Sequence, residues 1–148
     1  MYPKEKEILV SVIGSVLMFA GYGWYLYQAY LSGNPGLFND FRFWGRSFLI
    51  FIPIAIVVQI IIHIIFAIVN KVVTREDMEM RNDERDKLIQ LKGIRISHWI
   101  FTLGFMLAMG SQAIGMMPGV MFLTLISSGF VSAIISELAK IYFYRKGF

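Results

Sequence analysis

Gln59, His63 and Asn70 stand four and seven residues apart, a spacing that places all three on one face of a helix. His98, Thr102, Met109 and Gln112 repeat the pattern further on, and Glu137 is the one acidic residue of the last apolar stretch. In hydrocarbon such groups are costly and normally face a bundle interior. Brought together there, Gln59, His63, His98, Thr102 and Glu137 would make a polar cluster able to relay a proton or bind a cation, since imidazole changes charge near neutral pH. By depth, His63 falls in the inner half of a bilayer, and His98 and Glu137 near its cytoplasmic boundary. The plainer use of the same groups is hydrogen bonding between helices, each bond contributing about 0.6 to 2 kcal/mol. Glu137 in particular has Lys140 three residues on as a partner. Two histidines and a glutamate on three helices fit no metal spacing, and H-E-x-x-H is absent, so neither a metal nor another cofactor is expected.

The last apolar stretch also carries Thr124, Ser128, Ser132 and Ser136 every four residues, bordered by Gly129 and Ala133. Small residues at that spacing let helices approach closely, within a bundle or across a dimer; a serine-lined pore is the alternative use. Met106, Met109, Met116, Met117 and Met121 cluster near one turn and suit adaptable packing better than a copper(I) site. No nucleophile with a base, no paired intramembrane carboxylates and no phosphate loop point to an enzyme.

What must position these groups is a chain of 148 residues that is 57% hydrophobic and 16% charged, with a mean hydropathy of +0.62. Such a composition belongs in a bilayer. Without cysteine there are no disulfides, thiolate metal sites or thiol nucleophiles. Four apolar stretches are long enough to span about 30 Å of hydrocarbon: roughly 8–30, 47–69, 96–117 and 120–141. The first ends in Tyr22, Trp24, Tyr25, Tyr27 and Tyr30, rings that favour the headgroup boundary, and Ser32-Gly33-Asn34-Pro35-Gly36 then stops the helix. Residues 37–44 alternate aromatic and polar side chains and suit the outer surface. Pro53 predicts a bend in the second span, and Pro118-Gly119 a tight turn between the last two.

Between the two apolar halves runs the connector, about 71–95. Extended to Ser97, it holds thirteen of the twenty-four charged side chains. Thr74-Arg75-Glu76-Asp77 and Asn82-Asp83-Glu84-Arg85-Asp86 both read as helix starts, a capping side chain followed by acidic residues. Leu88, Leu91, Ile94 and Trp99 then fall at helical spacing, an amphipathic lead into the third span. With both termini and the connector in the cytoplasm, twelve of fourteen Lys and Arg lie inside, leaving Arg42 and Arg46 outside. The net charge of +4 is thus topology, and no direct nucleic-acid binding is expected. Asp83, Glu84, Arg85, Asp86, Lys92 and Arg95 could dock a cytoplasmic protein, pair with one another on a solvated helix, or latch Arg85 or Arg95 to a carboxylate on another helix end.

The run Asp83-Glu84-Arg85-Asp86-Lys87-Leu88-Ile89, with Lys92 and Arg95-Ile96-Ser97 following and apolar spans on either side, resembles the predicted membrane proteins grouped as domain of unknown function 2178. That resemblance covers about fifteen residues. It implies a bacterial or archaeal inner membrane, no established activity, and a regulatory protein as partner. The expected architecture is all-α: a four-span inner-membrane protein of two helical hairpins joined by a charged cytoplasmic connector, with the bilayer, further copies of itself and a cytoplasmic protein as partners. Its first functional reading is a non-enzymatic protein whose connector binds or regulates a partner. The alternative is a small transporter or channel with a polar intramembrane pathway.

Overall fold

The computed structural model describes residues 3–74 and 84–146. Thr74, the expected cap of a helix start at 74–77, is the last residue of α2, while residues 75–77, Asn82, and Asp83 as a docking residue lie outside the described residues. Four α-helices account for almost all of the rest: α1 (Pro3–Leu26), α2 (Phe41–Thr74), α3 (Glu84–Ala113) and α4 (Pro118–Arg145). A wide π-helical turn, Tyr27–Leu31, extends α1, and a 3₁₀ turn, Pro35–Asn39, leads to α2.

α2 begins six residues earlier than its apolar stretch, and the reason is a cap. The Asp40 carboxylate accepts a hydrogen bond from the Arg42 backbone N–H at 2.9 Å, supplying one of the unmet bonds of a first helical turn. The aromatic stretch expected along the surface is thus divided, residues 37–39 ending the 3₁₀ turn and residues 41–44 forming the first turn of α2, and the helix runs through Pro53 to Thr74. α3 is continuous from Glu84 across Gly93 to Ala113, so charged lead and apolar segment form one helix. Gly115, at φ 85°, takes the left-handed conformation glycine tolerates best, and Pro118 opens α4 where no backbone N–H is needed.

Among the described residues, three helices are long and apolar enough to cross a membrane: Glu5–Leu31, Phe41–Val73 and Pro118–Arg145. α3 falls short of that measure because its first third is charged and its remainder carries Ser97, His98, Thr102, Ser111 and Gln112.

The contacts fix the order of the helices. α1 lies antiparallel to α2, with Glu7 beside His63, Ser11 beside Gln59 and Tyr22 bonded to the Ser47 carbonyl at 2.7 Å. α1 is also antiparallel to α4, Phe19 stacking on Phe130 with ring centroids 4.2 Å apart and Glu5 meeting Arg145. α3 packs against α4 more closely than any other two helices do. Around the bundle the order is therefore α2, α1, α4, α3, and the start of α1 and the end of α4 share one end of it.

The α3–α4 seam is built from small residues. Gly104 sits directly on Ser128, and Gly93 lies against Ser136 and Lys140. Ser132 and Ser136 are buried, and the hydroxyls of Thr124, Ser128 and Ser132 donate to carbonyls of their own helix at 2.6–2.8 Å. Gly129 lies against Phe101 of α3, and Gly129 and Ala133 each border a cavity beside α4. At the opposite end from Glu5, the Trp44 indole N–H donates to the Phe38 carbonyl at 2.7 Å and its ring stacks on Phe122, tying the start of α2 to α4.

Candidate functional site

On α1, Glu7, Ser11 and Ser15 recur every four residues and form one polar stripe. On antiparallel α2, Gln59 and His63 are also one turn apart, so the two stripes meet group for group. Ser11 donates to Gln59 Oε1 at 3.0 Å, Gln59 Nε2 donates to Ser15 Oγ at 2.6 Å, and one turn nearer the Glu5 end His63 Nδ1 lies 2.8 Å from Glu7 Oε1. The amide of Gln59 thus spends both its ends on α1.

Replacing Gln59 with leucine keeps the bulk and removes these bonds. At the roughly 0.6 to 2 kcal/mol that interhelical hydrogen bonds contribute in membranes, the Gln59→Leu protein unfolds at lower denaturant in detergent; an unshifted midpoint would show that the pairing contributes nothing.

Beside this pairing lies a cavity of about 200 Å³ between α1, α2 and α4, lined mostly by apolar surface, with Ser11, Ser15, Gln59 and Glu137 among its residues beside Val12, Met18, Phe51, Ala55, Phe130, Ala133 and Ile134. Glu137 Oε1 accepts from Lys140 Nζ at 2.7 Å, and Lys140 does not line the cavity. Its lining residues thus include two hydroxyls, an amide and a carboxylate, with no basic side chain among the described residues. It could hold water or a small cation of about its size.

At the end of the bundle nearby, Glu5 is only 2% exposed; its Oε2 lies 3.4 Å from Arg145 Nε and its Oε1 has no hydrogen-bond partner among the described residues. On the other side of α4, Arg85 donates to the Tyr144 carbonyl at 2.9 Å with its guanidinium 5.7 Å from the Tyr144 ring centroid, and the Tyr144 hydroxyl donates to buried Asp86 at 2.9 Å. Lys92 lies over the Phe143 ring at 5.1 Å. The start of α3 is thereby fastened to the end of α4.

Of the five residues expected to cluster, Gln59 and Glu137 line one cavity, and His63 stands one turn from Gln59, half exposed and paired with Glu7. His98 and Thr102 are exposed on the side of α3 turned away from Gly93 and Gly104, and do not join them. Of the connector residues, Arg85, Asp86 and Lys92 face α4, whereas Glu84 and Arg95 are exposed. Sequence reasoning missed Glu5, Glu7, Ser11, Ser15, Tyr144 and Arg145. The signal for three of them was present: the four-residue repeat Glu7, Ser11, Ser15 matches the Gln59 and His63 repeat once the two helices are set antiparallel.

The fold and the cavity thus define an all-helical protein with three helices long and apolar enough to cross a membrane, carrying a small cavity lined by three of its helices with one carboxylate among its residues. No family model, curated protein or solved structure matches the chain.

Proposed function

We propose that this chain is a non-enzymatic, four-span protein of a prokaryotic inner membrane, with both termini cytoplasmic, that binds and passes a proton or small cation through the Ser11–Ser15–Gln59–Glu137 cavity. The observation that carries this reading is the lining itself: oxygen acceptors from three helices, one of them a carboxylate, and no basic side chain. Ionisable residues of membrane helices that face a cavity mark solute pathways and proton relays. Glu7 and His63, one turn toward the cytoplasmic end, are the groups a proton or cation meets first. α3 serves as the fourth span by packing its Gly93, Gly104 and Ala108 face along α4. The charge asymmetry, with Arg42 and Arg46 the only external basic residues, supports the orientation.

The test is flux into liposomes reconstituted with the purified full chain. Movement of protons or of a monovalent cation above empty liposomes is the expected result. No flux and no saturable binding across a panel of protons, alkali ions and small amines would overturn the reading.

A cytoplasmic partner remains the second reading, favoured by the outward exposure of Glu84 and Arg95 while Arg85 and Asp86 are engaged with α4. It predicts that Arg95→Glu abolishes recovery of a stoichiometric soluble protein from detergent-solubilised membranes without changing insertion; undiminished recovery removes Arg95 from any such surface.

A further inference from the structure

The cavity has a neighbour. Phe51, Ala55 and Phe130, which form its upper wall, also line a second, larger space of about 550 Å³ between α2 and α4, floored by Phe19 of α1. Aromatic rings dominate it: Trp44, Phe48, Phe101 and Phe122 complete its sides. It exists because α2 leans on α1 while α4 is held by α1 and α3, so that α2 and α4 face one another without substantial contact. Its volume lies within the roughly 300–1,000 Å³ typical of sites for drug-sized molecules. Two adjoining spaces therefore lie beside α1, one with Ser11, Ser15, Gln59 and Glu137 in its lining and one apolar and aromatic, and a ligand that straddles their shared wall meets both.

We infer that the ligand of these two spaces is an amphipathic monovalent cation, an ammonium or phosphonium centre carrying an apolar body, with the charge toward Glu137, Ser11, Ser15 and Gln59 and the body in the aromatic groove. The inference rests on the reading of the cavity as a cation site and adds the class of molecule. Charge complementarity sets the sign: no Lys or Arg lines either space, and the carboxylate of Glu137 is the sole formal charge among the lining residues. The aromatic walls suit a cation further, since ring faces attract positive charge. The shared wall of Phe51, Ala55 and Phe130 sets the shape, for a small hydrated ion would leave the larger space to lipid. Lys140, bonded to Glu137 from outside the cavity, is the internal cation such a ligand competes with.

The experiment uses the full chain in nanodiscs with Trp24→Phe and Trp99→Phe, leaving Trp44 as the reporter inside the groove. Tetraphenylphosphonium is the probe. It is expected to change Trp44 emission saturably, to be displaced by tetramethylammonium only at concentrations at least a hundredfold higher, and to be indifferent to tetraphenylborate, which has the same shape and the opposite charge. Gly129→Leu and Ile56→Phe each place added bulk in the groove from a different helix, and each is expected to weaken tetraphenylphosphonium at least tenfold while leaving tetramethylammonium binding unchanged. Two variants on separate helices keep the test readable where one fails to fold.

Equal binding of tetraphenylborate overturns the charge assignment. Equal affinity for tetramethylammonium and tetraphenylphosphonium, or indifference to both groove variants, overturns the amphipathic class and leaves a small-cation site standing. Absence of binding by every cation, together with absence of flux, removes the cavity reading as well.

Discussion

Gly104→Val abolishes close packing of α3 on α4: the protein either fails to accumulate in a monodisperse form or melts about 10 °C lower in detergent. A Cβ built at Gly104 overlaps Ser128 Oγ and Cβ and stands 3.5 Å from Ser128 Cα, so the obstacle is the root of the facing side chain and the helix that carries it. Rotating Ser128 about its first torsion does not move its Cβ. The helices must separate instead, and separation would strip Ala108, Ser132 and Ser136, all now buried, of their neighbours. Overpacking a close contact costs typically 1–3 kcal/mol, and for a chain of this size each kcal/mol corresponds to roughly 3 °C. Gly110→Val is the control. It sits on the same helix with nothing within 4 Å of its Cβ, so it shares the β-branched helix penalty without the clash. Adding Ser128→Gly to Gly104→Val removes the obstacle and is expected to recover most of the loss. Equal melting of the Gly104 and Gly110 variants would show that the seam is not a close contact.

The position of Gly104 shows where the sequence stops being readable. The serine repeat of α4 announces a packing stripe because its four-residue spacing is visible in one dimension. Gly104 is one glycine among thirteen, and its importance depends on the register between two helices, which no single helix encodes. Length and apolarity of three helices were legible for the opposite reason: each is a local property of twenty-odd residues. α3 was harder because its polar residues and glycines, read one by one, dilute its apolarity, while their placement on two faces decides what they touch. His98 and Thr102 share a helical face with one another, but that face is turned from α4, so periodicity found the stripe without finding what it points at. Register likewise hid half of the cavity. Gln59 was conspicuous as an amide in an isoleucine run; Ser11 and Ser15 were ordinary serines until the antiparallel pairing put them opposite it.

Glu137 and Lys140 carry the prediction that separates a functional cavity from a packed one. Their 2.7 Å pair lies between Gly93, against which Lys140 rests, and the cavity that Glu137 lines. Glu137→Gln preserves shape and hydrogen bonding and deletes the charge. If the cavity selects cations, it lowers cation affinity by at least about tenfold, the equivalent of 1.4 kcal/mol, and brings flux down to that of empty liposomes. Lys140→Met is expected to act in the opposite direction. Methionine keeps the apolar stem that packs on Gly93 and removes the internal cation, leaving the Glu137 carboxylate for the ligand. Affinity for an added cation then rises, at the cost of lower stability without ligand, because one partner of the pair is left uncompensated. The double variant Glu137→Gln with Lys140→Met distinguishes the cases, since without the carboxylate the gain from Lys140→Met has no origin and affinity falls to that of Glu137→Gln alone. A pair that merely holds α4 in shape behaves otherwise. Each single variant would then lower stability and binding together, and the double variant would recover both, which would assign Glu137 and Lys140 to the architecture of the helix and leave the cavity without its selective group.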